Sequence, residues 1–201
     1  MKPLETNAAL IVVDMQRGFD DPSWGVRNNP GMELRVASLL DHWRQAGAPV
    51  VHVHHCSRSP AGCFRPGTAG IEPKSQAIPG TGEAVYRKSV NSAFIGTTLE
   101  ADLRQRAIGT LVIVGLTSNH CVSTTVRMAG NLDFRTYVVS DATAAFERLG
   151  ASGRLRHAEQ VHDAALGDLH IEFAEVVDAA TVMAALQHTA GHSRAAGHGT
   201  R

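Results

Sequence analysis

The sequence carries no excess of charge of either sign. Lys and Arg number 19 and Asp and Glu number 19, so the formal net charge is 0 with histidine neutral. Nothing builds a basic field for a nucleic acid or an anionic membrane surface, and neither is expected as a partner. Long apolar runs are missing too. The first, Ala8 to Val13, follows a polar opening and is cut short by Asp14, which is too short for the core of a signal peptide. No other stretch nears the roughly 20 apolar residues of a spanning helix. A soluble, cytoplasmic protein is expected. Cysteine is scarce and odd in number: Cys56, Cys63 and Cys121 show no repeated pair spacing, which argues against a disulfide framework and leaves at least one thiol free. A Cys56–Cys63 bond could form under oxidation, but reduced thiols are the cytosolic expectation. No Gly-x-Gly-x-x-Gly turn follows the first apolar run, where the chain reads Asp14-Met15-Gln16-Arg17-Gly18, and this counts against dinucleotide binding. There is no internal repeat.

What is present suits one folded domain. The chain has 201 residues, of which 43% are hydrophobic, enough for one full core and little more. Ala8 to Val13 reads as a strand covered on both faces. Met32, Leu34, Val36, Leu39, Leu40 and Trp43 are spaced for an amphipathic helix over Met32 to Ala46, with Gly47 as its stop. Further strands are expected at Pro49 to His54, Thr110 to Val114, Thr136 to Ser140 and Glu172 to Val177. Helices are expected at about Thr98 to Ala107, Asn119 to Ala129, Ala158 to Leu166 and Ala179 to Leu186. This alternation implies an α/β doubly wound sheet with parallel pairing, and sites in such sheets lie at the carboxyl ends of the strands. The segment from Cys56 to Thr97, punctuated by proline and glycine, breaks the rhythm and reads as a long excursion of the kind used for lids or binding loops. The domain is placed at 1–188, and 189–201, rich in Gly, Ala and His, is expected to be a disordered tail.

Three residues stand where chemistry is done in such a sheet. Cys121, in Gly115-Leu116-Thr117-Ser118-Asn119-His120-Cys121-Val122-Ser123-Thr124-Thr125, sits where a strand passes into a helix, and a helix start favours thiolate. Asp14 ends the first strand in Val12-Val13-Asp14-Met15-Gln16, on the ligand edge of the sheet. Lys88 lies in Val85-Tyr86-Arg87-Lys88-Ser89-Val90-Asn91-Ser92-Ala93-Phe94 at the end of the excursion. Each alone has a plainer explanation: a buried thiol is usually a small hydrophobe, a strand-end Asp often caps a turn, and a loop Lys is usually solvated.

Together and in this order, the three motifs resemble the isochorismatase-like cysteine hydrolases, a group that includes nicotinamidases, N-carbamoylsarcosine amidohydrolase and ureide or biuret hydrolases. The resemblance spans about Ala8 to Leu186, and three ordered motifs are far more specific than one. It implies a three-layer, mainly parallel six-stranded sheet flanked by helices, and a catalytic triad of Asp14, Lys88 and Cys121. It also implies a non-proline cis peptide at Leu116–Thr117 and an oxyanion hole made by the backbone N–H groups of Thr117 and Cys121. The reaction implied is hydrolysis of a C–N amide or ureide bond in a small molecule through a thioester, with no cofactor, in a homodimer or homotetramer. Phe19, Trp24, Asn91, Phe94 and His120, all near the motifs, are the candidate substrate pocket, and Arg65 to Thr68 could help to close it.

Two other readings stay open: a vinyl ether hydrolase of the isochorismatase type, which needs no thiol, and a non-enzymatic thiol redox or ligand-binding module. In one respect the chain departs from the resemblance. Nicotinamidase-type members bind a metal through a motif like Asp-Trp-His-Pro after the second strand, whereas this chain reads Val51-His52-Val53-His54-His55-Cys56-Ser57. On a strand His52 and His54 face one side and His55 the other, so this cluster does not converge and no metal is expected.

Overall fold

The strands form where apolar, β-branched residues run without interruption or alternate with polar ones. The computed structural model describes residues 3–186; the tail expected over 189–201, and the domain boundary at 188, lie outside the described residues. The strands are β1 (Ala9–Val13), β2 (Val50–His55), β3 (Ala84–Lys88), β4 (Thr110–Leu116), β5 (Arg135–Ala144), the short β6 (Arg148–Leu149) and β7 (Leu155–Arg156), and β8 (Glu175–Val177). All but β6 and β7 join one sheet in the order β3-β2-β1-β4-β5-β8, and every pairing in it is parallel. The helices are α1 (Met32–Ala46), α2 (Leu99–Gln105), α3 (Ser123–Asn131), α4 (Ala158–Gly167) and α5 (179–186).

Because β1 and β4 are buried along their whole length, their side chains supply both faces of the sheet. Leu10, Val12, Val112 and Val114 pack with Val36, Leu40 and Trp43 of α1 and with Val182 of α5. Ile11, Val13 and Ile113 pack, with Val51 and Val53, against Leu103 of α2, Val126 of α3 and Leu166 of α4 on the opposite face. The result is the three-layer doubly wound architecture expected from the alternation. Trp43, fully buried, donates its Nε1 hydrogen to the Ala8 carbonyl at 2.9 Å, tying α1 to the start of β1. Gly47 ends α1 in the left-handed conformation. Among the described residues no helix is long and apolar enough to cross a membrane.

Several elements differ from the sequence expectation, the short β6–β7 ribbon among them. β3 lies inside the supposed irregular excursion; it is an edge strand paired only with β2, and its half-buried residues alternate without an apolar run. β5 continues past Ser140 to Ala144 by way of a register shift opposite Ile113 and Gly115. β8 begins at Glu175, three residues later than expected by 175 − 172. The expected helix from Asn119 opens instead with a π-helical turn, Ser118–Val122, before α3.

The strand order reverses between β1 and β4: the sheet grows from β1 through β2 to β3 in one direction and from β4 through β5 to β8 in the other. Ligands of doubly wound sheets bind at such a switch point, outside the carboxyl ends of the strands. The close approach of these two strands depends on Gly115, whose φ is +117° and whose added Cβ would lie 1.9 Å from the Val13 carbonyl oxygen. Neither the conformation nor the space admits a side chain. Gly115→Ala is therefore expected to destabilise the fold by more than about 3 kcal/mol, well beyond an ordinary point change. Denaturant titration checks this, and a midpoint close to that of the wild type would contradict it.

Candidate active site

Asp14 follows β1 with φ +51°, a left-handed conformation that Asp tolerates better than most residues. Its N–H donates to Val53 O at 2.8 Å and its carbonyl accepts from Gln16 N–H at 2.8 Å. The turn so formed points the carboxylate across the ends of β2 and β3. Gln16 fixes that turn from below: it is fully buried, accepts from His55 N–H at 2.7 Å, and donates to the carbonyls of His55 and Ile71 at 3.0 and 2.9 Å.

Lys88 ends β3, two strands from β1. Its Nζ donates to Asp14 Oδ2 at 2.6 Å, with both side chains at 0% exposure, and also to His55 Nδ1 at 3.3 Å. Asp14 Oδ1 is buried and has no partner within hydrogen-bonding distance. A carboxylate oxygen of Asp14, a ring nitrogen of His55 and Cys121 Sγ all lie within 4.8 Å of one another. The three residues that the motifs singled out, separated by up to 107 positions (121 − 14), thus meet at one point.

Cys121 reaches this point from the π-helical turn after β4 and lines the cavity described below. The Leu116–Thr117 peptide at the head of that turn is cis. The thiol donates to Asn91 Oδ1 at 3.8 Å. Burial, and then the nearby Asp14 charge, push its pKa up to about 12. A helix start favours thiolate, but here desolvation beside a carboxylate outweighs the helix-end field. Burial likewise raises the Asp14 pKa, against the opposing pull of Lys88. The His55 pKa is lowered by burial and by Lys88, which keeps that ring neutral and able to accept from the ammonium.

A cavity of about 580 Å³ opens over these groups, lined by Asp14, His55, Asn91, Thr117, His120 and Cys121 at its floor. Its mouth is aromatic: Phe19 packs edge-on against Phe64 with ring centres 4.7 Å apart, and Trp24 lies 5.0 Å from Phe19. Of the pocket residues expected from sequence, Phe19, Trp24, Asn91 and His120 line this cavity. Phe94 does not; half-buried, it stacks on Phe134 at 5.9 Å and packs against the core on the α2 and α3 side of the sheet. Arg65 also points elsewhere, donating to Pro60 O at 2.7 Å and lining a separate surface cavity with Thr68. Sequence reasoning missed His55, Gln16 and Phe64 as parts of the site. For His55 a signal was present, since it stands at the carboxyl end of a parallel strand, as Asp14 does.

Residues 8–181 match the model of the isochorismatase domain family. The chain belongs to the isochorismatase family. It is 44% identical over 174 residues to the family protein YrdC of Bacillus subtilis, covering 87% of this chain and 93% of that protein. A crystallised protein of the isochorismatase family from Chromobacterium violaceum is 41% identical and superposes with a TM-score of 0.90, over 94% of this chain and 99% of that one. Nicotinamidase 3 of Arabidopsis thaliana is 31% identical over 185 residues, covering 85% of this chain and 84% of that protein.

The metal motif implied for nicotinamidase-type members of the isochorismatase family does not fit this chain. His52 bonds Glu83 Oε2 at 2.8 Å, and Arg44 holds the same carboxylate through Oε1. His52 and His54 lie on the α1 side of β2, away from His55. Asp14, His55 and Cys121 do converge, but Lys88 Nζ already occupies the cationic position among them, bonded to two of the three.

The raised thiol pKa has a testable origin. Since the Asp14 charge opposes ionisation of Cys121, Asp14→Asn removes that opposition while leaving Lys88 in place, and the thiol is expected to ionise at lower pH than in the wild type. Ultraviolet titration of the thiolate, in a background with Cys56 and Cys63 changed to Ser, checks the sign. An unchanged or higher pKa in Asp14→Asn would contradict the assignment.

Proposed function

We propose that the protein is a cysteine amidohydrolase that opens a C–N amide or ureide bond of a small molecule through a thioester at Cys121. The observation that carries this reading is the buried, unpartnered Asp14 Oδ1 beside the Cys121 thiol, with Lys88 holding the other carboxylate oxygen. A base with one oxygen fixed and one free is built to take a proton from a neighbour. Relatives named nicotinamidase, streptothricin hydrolase and ureidoacrylate amidohydrolase support the same bond class.

In this mechanism Cys121 Sγ attacks the substrate carbonyl carbon as Asp14 accepts the thiol proton, so the high thiol pKa is met by proton transfer concerted with attack. Lys88 holds the Asp14 carboxylate in place throughout. The carbonyl oxygen, now negative, is held by the backbone N–H groups of Thr117 and Cys121. Asp14 then delivers the proton to the leaving nitrogen, the C–N bond breaks, and the acyl group remains on sulfur. Water attacks the thioester, giving one proton to Asp14, and the C–S bond breaks; the proton returns to sulfur and the carboxylic or carbamic acid leaves. The aromatic mouth suits a small, partly apolar substrate. A cytoplasmic location keeps the three free cysteines reduced, and a symmetric homodimer or homotetramer is the assembly we expect.

A panel of amides, ureides and lactams, scored by released ammonia or amine, identifies the substrate, and Cys121→Ala separates this chemistry from vinyl ether hydrolysis, which needs no thiol. On the substrate so found, Asp14→Asn and Lys88→Ala are each expected to remove most of kcat/KM. The double variant is expected to be scarcely worse than the worse single one, because residues acting as one unit give losses that do not multiply. Multiplicative losses, or near-normal activity in Lys88→Ala with the circular dichroism unchanged, would contradict the triad.

A further inference from the structure

A second cavity, of about 490 Å³, has two of its lining residues in contact with His120, which lines the catalytic one. These are Asn119 and Arg148, and both approach the His120 ring at Nε2, at 3.3 and 2.7 Å. An arginine only donates, so His120 Nε2 is an acceptor and its proton sits on Nδ1, 3.3 Å from Thr117 Oγ1.

Three arginines converge on this second cavity: Arg127 from α3, and Arg148 and Arg156 from the β6–β7 ribbon. Arg127 is anchored. Its Nε donates to Ser123 Oγ at 3.4 Å and its guanidinium carbon lies 4.7 Å over the Phe173 ring. Asp168, 3.9 Å away and largely exposed, is the one carboxylate within ion-pair reach of any of the three among the described residues. Arg148 and Arg156 are directly opposed partners of the antiparallel ribbon. Opposed side chains share a face, and like charges there repel. A two-residue ribbon has little stability of its own to offset this. Planar guanidinium forks held together in this way match a carboxylate or phosphate, which each can bind through two hydrogen bonds.

We infer that Arg127, Arg148 and Arg156 form an oxyanion site that takes a phosphate or carboxylate group, either a free ion or the charged end of a substrate. The inference stands on charge and geometry alone and does not depend on the chemistry at Cys121. Because Arg148 also bonds the His120 ring, an anion drawn to it acts on a wall of the catalytic cavity.

Calorimetric titration of inorganic phosphate into the protein, at ionic strength held constant with chloride, tests the site. One saturable binding event is expected in the wild type, weakened on the order of tenfold or more in Arg127→Gln and in Arg156→Gln, as for loss of a charged hydrogen bond. Arg156→Gln also relieves the cross-strand repulsion, so in phosphate-free, low-salt buffer its Tm is expected to equal or exceed that of the wild type, and added phosphate to raise the wild-type Tm more. Absence of saturable binding, or equal binding by all three proteins, would overturn the inference whether or not Cys121 proves catalytic. Phosphate that raises KM alone for the active amide marks the site as one for a substrate's charged end; phosphate that binds and leaves KM unchanged marks it as one for a free ion.

Discussion

The ion pair between Asp14 and Lys88 is the constraint around which the site is arranged. Both side chains are wholly buried and meet at 2.6 Å. Removing two such charges from water costs several kcal/mol for each ion, and only close, well-directed contact offsets it. Deleting one partner of a buried pair costs about 3–5 kcal/mol because the other is left stranded. The pair can exist only if β3 lies two strands from β1 in a fixed register. In that register Val13 sits opposite Val53, and His55 sits opposite Lys88, so the lysine reaches along the sheet edge past His55 to the carboxylate. Gln16 supports the geometry by tying the chain after β1 to the last residue of β2.

The same burial sets the protonation of the neighbours. It raises the pKa values of Cys121 and Asp14 and lowers that of His55, so the thiol and the imidazole stay neutral beside the Asp14–Lys88 pair. A neutral thiol beside a carboxylate with one free oxygen is a proton donor facing its acceptor. In the proposed mechanism charge separation is postponed until a substrate fills the cavity and a bond to sulfur forms, at which point the backbone N–H groups of Thr117 and Cys121 would take up the negative charge. The aromatic mouth of Phe19, Trp24 and Phe64 helps to keep the site dry enough for these interactions to be strong.

Much of this was legible in the sequence because the relevant signals are local. Unbroken β-branched runs marked β1 and β4, helical spacing marked α1 to its last residue, and the strand-end positions of Asp14 and Cys121 followed from where those runs stop. What was not legible depends on pairing across the sheet. β3 is a half-exposed edge strand whose residues follow no apolar run, so the sequence around Lys88 reads as a loop although Lys88 ends a strand. The raised pKa of Cys121 has a related origin: helix position can be read from sequence, whereas burial by the folded chain and the charge of Asp14, distant in sequence, cannot. Phe94 was drawn to the pocket by nearness in sequence to Asn91, yet three residues along the chain suffice to turn a side chain from cavity to core.

In the proposed mechanism Cys121 carries the acyl group between the two halves of the hydrolysis. Once an amide substrate is known, acid quenching during turnover followed by intact-protein and peptide mass spectrometry tests it most directly. The expected result is an added mass equal to the acyl fragment, on the peptide that contains Cys121, and neither adduct nor turnover in Cys121→Ala. Turnover that survives Cys121→Ala, or an acyl group found on another residue, would contradict it.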